Sequence, residues 1–223
     1  MSQEHDTRTA FMEATYRALC EHGYADLTMQ DIADETDKSK AALHYHFDGK
    51  DDLFREFLAY LHEDFAETIA DHPEGTPVEQ LVALVRRVLE PVDDEADQQF
   101  NTAFMEIKAQ APYREGYREV LRRFDADLRA EIATLVAGAV EAGQYDEETD
   151  PEEIAEHVLT YVHGTWTRAA AIGADVVTMR EHLVDDILDL VVDGVEVPVS
   201  PGDPVGRSDD AADRDADDGG NPR

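Results

Sequence analysis

The chain has 223 residues and carries 52 acidic against 19 basic side chains, which gives a formal net charge of −33. This length is enough for a small module plus a larger domain, and the sequence has no apolar run of about 18 residues, which argues against a membrane span. The amino-terminal segment MSQEHDTRTA has no apolar core and the chain has a single cysteine, so we expect a cytoplasmic protein without a signal peptide or an internal disulfide.

The segment 28–47 predicts two short helices joined by a turn. The hydroxyl of Thr28 can cap a helix that begins at Met29, and Ser39 can cap a second helix that runs to Phe47. The polar run 36–38 breaks the apolar periodicity between them. Two capped helices that are one turn apart indicate a helix-turn-helix, which is typical of DNA-binding proteins.

Lysine is concentrated in this region. Three of the chain's four lysines, Lys38, Lys40 and Lys50, lie between residues 28 and 54. Lys50 falls in the first turn of the next predicted helix, where the helix dipole disfavours a cation. A phosphate bound at that helix end would satisfy both the lysine and the free amides. The alternative is that these lysines are simply solvated.

Residues 7–65 together resemble the DNA-binding domain of the TetR family of transcriptional repressors, in which Gly23 would close the first helix. The resemblance implies an all-α fold, with a helix-turn-helix domain at 1–66 and a helical effector-binding and dimerisation domain at 67–195. It also implies a homodimeric repressor that a small-molecule effector releases from a palindromic DNA operator. The positions that carry the resemblance are Phe11, Ala14, Ala18, Leu19, His22, Gly23, Tyr24, Leu27, Thr28, Ile32, Ala33, Leu43, Tyr45, His46, Phe47, Lys50, Asp51, Asp52, Leu53 and Phe54.

The resemblance implies eight DNA contacts, although several residues depart from the family's usual ones. Asp37 stands at the usual turn glycine, an alanine pair replaces a small and a hydroxyl residue, and His44 replaces a tyrosine. Because alanine cannot hydrogen-bond a base edge, direct readout would depend on Lys40 and His44. The operator sequence therefore does not transfer from relatives. The implied contacts are Thr28, Ser39, Lys40, Ala42, His44, Tyr45, His46 and Lys50.

The pair His44 and His46 could suggest a zinc site. Residues two apart on a helix point about 200° away from each other, so the two rings cannot bind one ion without strain. We therefore expect no metal and no other cofactor. One histidine should face DNA and the other should pack between helices.

Beyond Asp71 the apolar periodicity predicts further helices, separated by proline and glycine. Pro112 and Gly143 bound the longest of them. The predicted helices begin with one around Leu81 to Val88 and continue with 98–111, 113–142, 151–172 and 178–195.

The last two predicted helices are apolar on two faces, so each must be covered twice. In the family the second cover is a copy of the same helices, and such an isologous pair matches a palindromic operator. The alternative is burial within a monomer. The candidate dimer residues are Val158, Val162, Leu183, Ile187, Leu190 and Val191.

The family binds its effectors between the middle helices and the long one, and such pockets are apolar with a few polar groups. Aromatic residues at helical spacing could line one here, although they are also typical of a plain core. The helical domain resembles, more weakly, that of the choline-pathway repressors, and aromatic rings could hold a quaternary ammonium. The effector stays unknown. The candidate pocket residues are Phe100, Phe104, Tyr117, Phe124, Tyr161 and Trp166.

Residues 196–223 are rich in proline, glycine and aspartate and predict a disordered acidic tail. The acidic composition, with fifteen arginines against four lysines, resembles that of proteins from salt-accumulating halophiles. In about molar salt the Debye length is about 3 Å, so self-repulsion is screened. Our hypothesis is that the protein binds DNA in high salt through close contacts, with less counterion release than usual.

Two functions from other classes have to be weighed. An enzyme finds little support, because the sequence has no HExxH, P-loop, glycine-rich dinucleotide turn or nucleophile elbow. An all-helical sensor or adaptor that no longer binds specific DNA stays open, because Asp37, Ala42 and His44 replace the family's usual residues. Specific DNA binding would distinguish these alternatives from a repressor.

Overall fold

A computed structural model describes residues 2–91 and 95–198 of the chain. Within these ranges there are nine α-helices, one 3₁₀ turn at Ala111–Tyr113 and no strand, so the prediction of an all-α fold is confirmed. The predicted tail lies outside the described residues from residue 199 onward. The helices are α1 (Ser2–Asp26), α2 (Met29–Asp34), α3 (Lys40–His46), α4 (Lys50–Ala70), α5 (Pro77–Val88), α6 (Glu95–Gln110), α7 (Glu115–Glu141), α8 (Pro151–Ile172) and α9 (Val176–Leu188).

Among these helices, none is both long enough and apolar enough to cross a membrane.

Side-chain caps fix where the two short helices begin. The Thr28 hydroxyl accepts hydrogen bonds from the N–H groups of Gln30 (3.2 Å) and Asp31 (3.3 Å). In return, the Asp31 carboxylate accepts the Thr28 N–H at 2.7 Å, which completes a capping box. The Ser39 hydroxyl accepts the Ala42 N–H at 3.1 Å at the start of α3. Both predicted caps are therefore confirmed.

Two buried clusters hold the helices together. The amino-terminal core is built around Phe11, Leu43 and Phe54, and the carboxy-terminal core contains side chains of α5, α7, α8 and α9. The amino-terminal core also takes Ile107 from α6 and Tyr117 from α7. The domain boundary predicted at residue 66 falls inside α4, so the two domains share a packed border in place of a linker.

Several predicted helix boundaries are wrong. Helix α6 begins at Glu95 and not at residue 98. Helix α7 begins at Glu115 and not at residue 113, because Pro112 lies in the 3₁₀ turn that precedes it. Helix α9 ends at Leu188 and not at residue 195. The chain turns there, and Val191 forms an isolated antiparallel bridge with Tyr145. The range 151–172 is as predicted.

Gly23 produces a kink near the end of α1. Its backbone has φ 67° and ψ 168°, a combination that is essentially restricted to glycine. The prediction that Gly23 closes the first helix is correct for the break in helical geometry, although the assigned helix resumes and continues to Asp26.

Replacing Gly23 by alanine is expected to lower the free energy of unfolding by about 1–3 kcal/mol, because a side chain is strained in this backbone region. The added Cβ would lie 3.5 Å from Glu106 Oε2, which is an ordinary contact distance, so strain and not collision causes the loss. Urea denaturation measures it. The control is Gly49→Ala, since Gly49 has an extended backbone (φ 166°) and no atom within 4 Å of an added Cβ. Equal stability of the Gly23→Ala protein and the wild type would show that the backbone at residue 23 can adopt another conformation without a loss of stability.

Candidate nucleic-acid interface and effector cavity

Helix α3 is anchored on one side and open to solvent on the other. Leu43 and Phe47 are buried in the amino-terminal core, whereas Lys40, His44 and Tyr45 are exposed. Lys40 and His44 are neighbours on the helix surface because they are four residues apart. Tyr45 is 86% exposed, so its side chain is available to a partner. We call the side formed by Lys40, His44 and Tyr45 the recognition face.

Two of the predicted DNA contacts face the interior of the protein. The half-buried ring of His46 has its centroid 5.6 Å from that of Phe11. Ala42 is half-buried against the amino-terminal core, while Ala41 is exposed beside the recognition face. Of this alanine pair the sequence prediction chose Ala42 as the DNA contact, although the spacing of four residues between Ala41 and Tyr45 places Ala41 on the exposed side. The expectation of one exposed and one packed histidine is confirmed.

Thr28 and Ser39 lie exposed at the amino-terminal ends of α2 and α3. Their hydroxyls cap these helices, and the remaining free N–H groups favour an anion such as a phosphate. The positions of Thr28 and Ser39 are therefore compatible with the predicted contacts to DNA phosphates.

The three lysines of this region differ in what their ammonium groups contact. Lys38 Nζ lies 3.5 Å from the carboxylate of the preceding aspartate. Lys50 Nζ donates hydrogen bonds to the carbonyl oxygens of Leu27, at 2.8 Å, and of Tyr24. For Lys40, no ion pair within 4 Å is found among the residues that the structure describes. Lys40 is therefore the lysine of this region best placed to meet a phosphate or a base.

Lys50 braces the end of α1 against the start of α2. Its ammonium lies 4.4 Å from the centroid of the Tyr24 ring. Burial, followed by the positive charge of Arg114, lowers the pKa of Lys50. A contact with DNA phosphate stays a prediction for Lys50, and the structure gives this side chain an intramolecular role that the sequence did not indicate.

Glu106 on α6 connects the helical domain to the end of α1. Its carboxylate accepts the N–H groups of Tyr24 (2.8 Å) and Ala25 (3.3 Å), directly after the Gly23 kink. The Tyr24 hydroxyl lies 3.3 Å from the hydroxyl of Tyr117 on α7. Tyr117 is buried, and its burial raises the pKa of its phenol. This predicted pocket residue therefore belongs to the border between the domains.

A cavity of about 510 Å³ lies among helices α4 to α8, which is within the usual size range of a small-molecule site. An adjoining cavity of about 350 Å³ shares part of its wall. Of the predicted pocket residues, Phe104, Phe124 and Trp166 line both cavities, and Phe100 lines the smaller one. Tyr161 packs against the carboxy-terminal core and lines neither. The larger cavity is lined by Phe65, Val88, Phe104, Lys108, Ala111, Arg118, Leu121, Arg122, Phe124, Asp125, Leu128, Leu159, Val162, His163 and Trp166.

The sequence prediction missed the polar groups of the larger cavity. Lys108 lines both cavities, and burial lowers its pKa while the negative charge of Asp125 opposes this effect. The Nε2 atom of His163 lies 3.0 Å from the Asp125 carboxylate. One signal was present in the sequence: Lys108 is the single lysine beyond residue 50 and follows Phe104 by four residues, so the two share a helix face.

Most of the candidate dimer residues lie inside the protomer. Four of them pack in the carboxy-terminal core with at most 5% of their surface exposed, so the chain itself covers them. The other two lie beyond the end of α9, where Leu190 is 37% exposed and Val191 packs partly against the same core. The four interior residues are Val158, Val162, Leu183 and Ile187.

A different side of α8 stays open to solvent. His157, Tyr161, Gly164 and Arg168 are exposed or half-buried, and their spacing of four, three and four residues places them on one side of the helix. We call this side the open α8 face. Burial, and then the negative charge of Asp186, raises the pKa of Tyr161, so α9 contributes an acidic side chain beside this face.

Both halves of the chain match known regulators. Residues 11–57 match the family described as bacterial regulatory proteins, tetR family, and residues 77–193 match the family described as BetI-type transcriptional repressor, C-terminal. A solved TetR transcription regulator from Haloarcula marismortui is 35% identical, with a TM-score of 0.77 and coverage of 84% of this chain and 99% of that chain. The HTH-type transcriptional regulator TtgR of Pseudomonas putida is 27% identical over 195 residues, which are 83% of this chain and 91% of TtgR.

A transcriptional regulator from Saccharomonospora viridis, solved in complex with choline, is also similar in structure. It is 23% identical, with a TM-score of 0.72 and coverage of 84% of this chain and 98% of that chain. At this identity the likeness shows a shared fold.

Proposed function

This chain belongs to the TetR family of transcriptional regulators, which are DNA-binding proteins and not enzymes, and we propose that it is a homodimeric repressor that a small molecule releases from its operator. The recognition face is the observation that carries the proposal. It combines a cation, an imidazole and a phenol on one exposed helix side, and such a side can enter the major groove while the packed side stays in the domain.

The recognition face gives DNA readout a specific chemistry. Lysine can donate to the O6 and N7 acceptors of guanine, and a histidine ring can donate or accept at a base edge. The exposed methyl group of Ala41 and the ring of Tyr45 add apolar contact, for which a thymine methyl is the natural partner. Access to operator DNA also requires a cytoplasmic location.

Dimerisation would place two recognition faces on one operator. A twofold pair of protomers matches a palindromic site whose half-sites are about 34–36 Å apart. The open α8 face is the surface that we assign to this contact, because the interior residues of α8 and α9 are used within the protomer.

Helix α6 offers a physical connection between effector and operator. Lys108 lines the cavity, and Glu106, two residues earlier, holds the backbone after the Gly23 kink. If α6 can adopt two placements, a ligand that binds one of them more tightly would therefore shift the orientation of the DNA-binding domain. Because half-site spacing is strict, a small tilt of each domain is enough to prevent simultaneous docking.

The test is fluorescence anisotropy with DNA from upstream of the gene that encodes this chain, and with unrelated DNA of equal length. About molar KCl screens the repulsion between DNA and the acidic surface. We expect preferential binding to the upstream DNA. Equal binding to both DNAs, or none to either, at molar and at lower KCl would favour the adaptor alternative.

Replacing Lys40 or His44 by alanine is expected to lower affinity by about 5- to 150-fold for each half-site, as loss of a base-edge contact costs about 1–3 kcal/mol; in the dimer both half-sites lose the contact. Both changes should also alter which base substitutions in the operator are tolerated. Lys38→Ala is the matched control, because it removes the same charge from a lysine in the turn that is paired with a neighbouring aspartate. Unchanged affinity in both variants would remove these residues from the site.

A further inference from the structure

We propose that the larger cavity binds an amphipathic organic anion, with an apolar or aromatic body and one carboxylate that pairs with Lys108. The proposal rests on the function proposed above, because it names the chemical class of the effector. Its support comes from the charges that line the cavity and from how many of them are already paired.

Lys108 places a positive charge in a largely apolar space. Its ammonium lies 5.0 Å from the centroid of the Phe104 ring, and it lines both the larger and the smaller cavity. Within the described part of the chain, no carboxylate lies within 4 Å of it. A charge removed from water without a close counter-ion is costly, and the carboxylate of a ligand would supply that counter-ion.

The other charged groups of the cavity are occupied. The Asp125 carboxylate lies 3.0 Å from Arg129, which also pairs with Glu156, and 3.0 Å from His163, so it is already engaged by its neighbours. The guanidinium groups of Arg118 and Arg122 lie 2.9 Å and 3.3 Å from the carboxylate of Glu115. Arg118 and Arg122 share this one carboxylate, whereas Lys108 has no carboxylate within 4 Å among the residues that the structure describes.

The same geometry disfavours a quaternary ammonium such as choline. A cation of this kind binds over aromatic faces, but Lys108 already occupies that position over Phe104. A second positive charge in the cavity would be repelled by Lys108, and the one carboxylate that lines the larger cavity, Asp125, is engaged elsewhere. The likeness in fold to a choline-bound regulator therefore does not extend to the charge of the ligand.

The aromatic residues that line the larger cavity determine which kind of apolar group the ligand can carry. Phe65, Phe124 and Trp166 offer ring surfaces, while the indole N–H of Trp166 is used in a hydrogen bond of 3.1 Å to the Val88 carbonyl. Trp166 therefore presents apolar surface to the cavity. A fused aromatic ring of modest size fits a volume of about 510 Å³.

Trp166 is the chain's only tryptophan, so its fluorescence reports directly on the cavity. We would titrate the full-length protein with 2-naphthoate, the isosteric neutral 2-naphthamide, and choline. The expected result is that the acid binds at least about 10-fold more tightly than the amide, as a desolvated ion pair outweighs a neutral contact, and that choline does not bind. An amide as tight as the acid, binding of choline alone, or binding of none of the three would overturn the proposal.

Variants of Lys108 separate charge from shape. In Lys108→Met the advantage of the acid over the amide should disappear, whereas Lys108→Arg should retain it. Thermal melting and operator binding without ligand show whether each variant is folded and active in DNA binding. If operator binding is specific but the acid has no advantage, the ligand class is wrong and the repressor function stands. If the acid binds but operator DNA does not, the repressor function fails by itself.

Discussion

Replacement of Gly164 by arginine is expected to make the protein monomeric and to lower its affinity for the operator by about 10²- to 10⁴-fold. Gly164 lies in the middle of α8 on the open α8 face, and a Cβ added there would meet no atom within 4 Å. Glycine inside a helix costs about 0.5–1 kcal/mol relative to alanine. Packing within the protomer gives no reason for this cost, whereas close approach of a helix from a second copy does.

The size of the effect follows from the two half-sites of the operator. Once one recognition face of a dimer has docked, the second binds as an intramolecular event, which raises the overall affinity by about 10²- to 10⁴-fold without any new type of contact. A monomer keeps its recognition face and loses this gain. Arginine at position 164 would hold the two helices apart by its length and would place two like charges near the twofold axis.

Analytical ultracentrifugation and operator anisotropy, both in about molar KCl, measure the two parts of this result. Thr134→Arg is the matched control, since it adds the same side chain to an exposed position of α7 and changes the net charge equally. The control should remain dimeric with unchanged affinity. A Gly164→Arg protein that stays dimeric would place the dimer contact on another surface.

Local chemistry explains what the sequence predicted well. A hydroxyl before an apolar run, as at Thr28 and Ser39, fixes a helix start through bonds that span only two or three residues. The kink at Gly23 uses a backbone conformation that favours glycine, although a distant residue, Glu106, also binds the N–H groups that follow it. Caps of this kind need no knowledge of the rest of the fold, so the two short helices could be derived directly. The residues of the exposed side came from the family resemblance, and two of them, Ala42 and His46, pack against the core.

Features that depend on distant contacts could not be derived in this way. An apolar stripe shows that a helix face is covered, but not by what, and Val158 and Leu183 proved to be covered by their own chain. Tyr117 has the spacing of a pocket residue, yet its partner is Tyr24, far away in sequence. Helix α9 ends before the predicted residue 195, and Val191 instead forms a bridge with Tyr145, which no local pattern indicates.

The cavity lysine illustrates a signal that was visible but ambiguous. An isolated Lys108 next to aromatic residues on an apolar face could equally extend its ammonium to water. Only the surrounding helices show that the side chain ends in a cavity. The charge of a binding site therefore required the structure, while its aromatic walls were partly predicted.

Replacement of Lys50 by methionine is expected to lower the free energy of unfolding by about 2–4 kcal/mol. The lysine makes two charge-assisted hydrogen bonds, to the carbonyl oxygens of Leu27 and Tyr24, and each such bond contributes about 1.5–3 kcal/mol. The contact with the Tyr24 ring adds about 0.5–1 kcal/mol. Burial opposes these contacts, because the lowered pKa of Lys50 indicates that the charged ammonium is less favoured in the folded than in the unfolded protein; the expected loss therefore comes mainly from the two carbonyl groups. Methionine keeps the apolar stem and leaves both carbonyl groups without their donor.

Urea denaturation of Lys50→Met, beside Lys38→Met as the control, measures this loss. Among the described residues, the ammonium of Lys38 pairs with the preceding aspartate at the surface, so its removal should change stability by less than about 1 kcal/mol. Equal stability of the two variants would show that the bonds to Leu27 and Tyr24 contribute little.

The salt dependence of operator binding separates the two roles of Lys50. At a temperature where the variant is fully folded, loss of a phosphate contact lowers the slope of log affinity against log salt concentration by about 1. A brace that only positions α1 and α2 would weaken binding without changing that slope. Two of the three ammonium N–H donors of Lys50 are used on carbonyl groups, and the side chain is half-buried, so its charge serves mainly contacts within the protein. We therefore expect Lys50→Met to leave the slope unchanged, and a decrease of about 1 would restore Lys50 as a direct DNA contact.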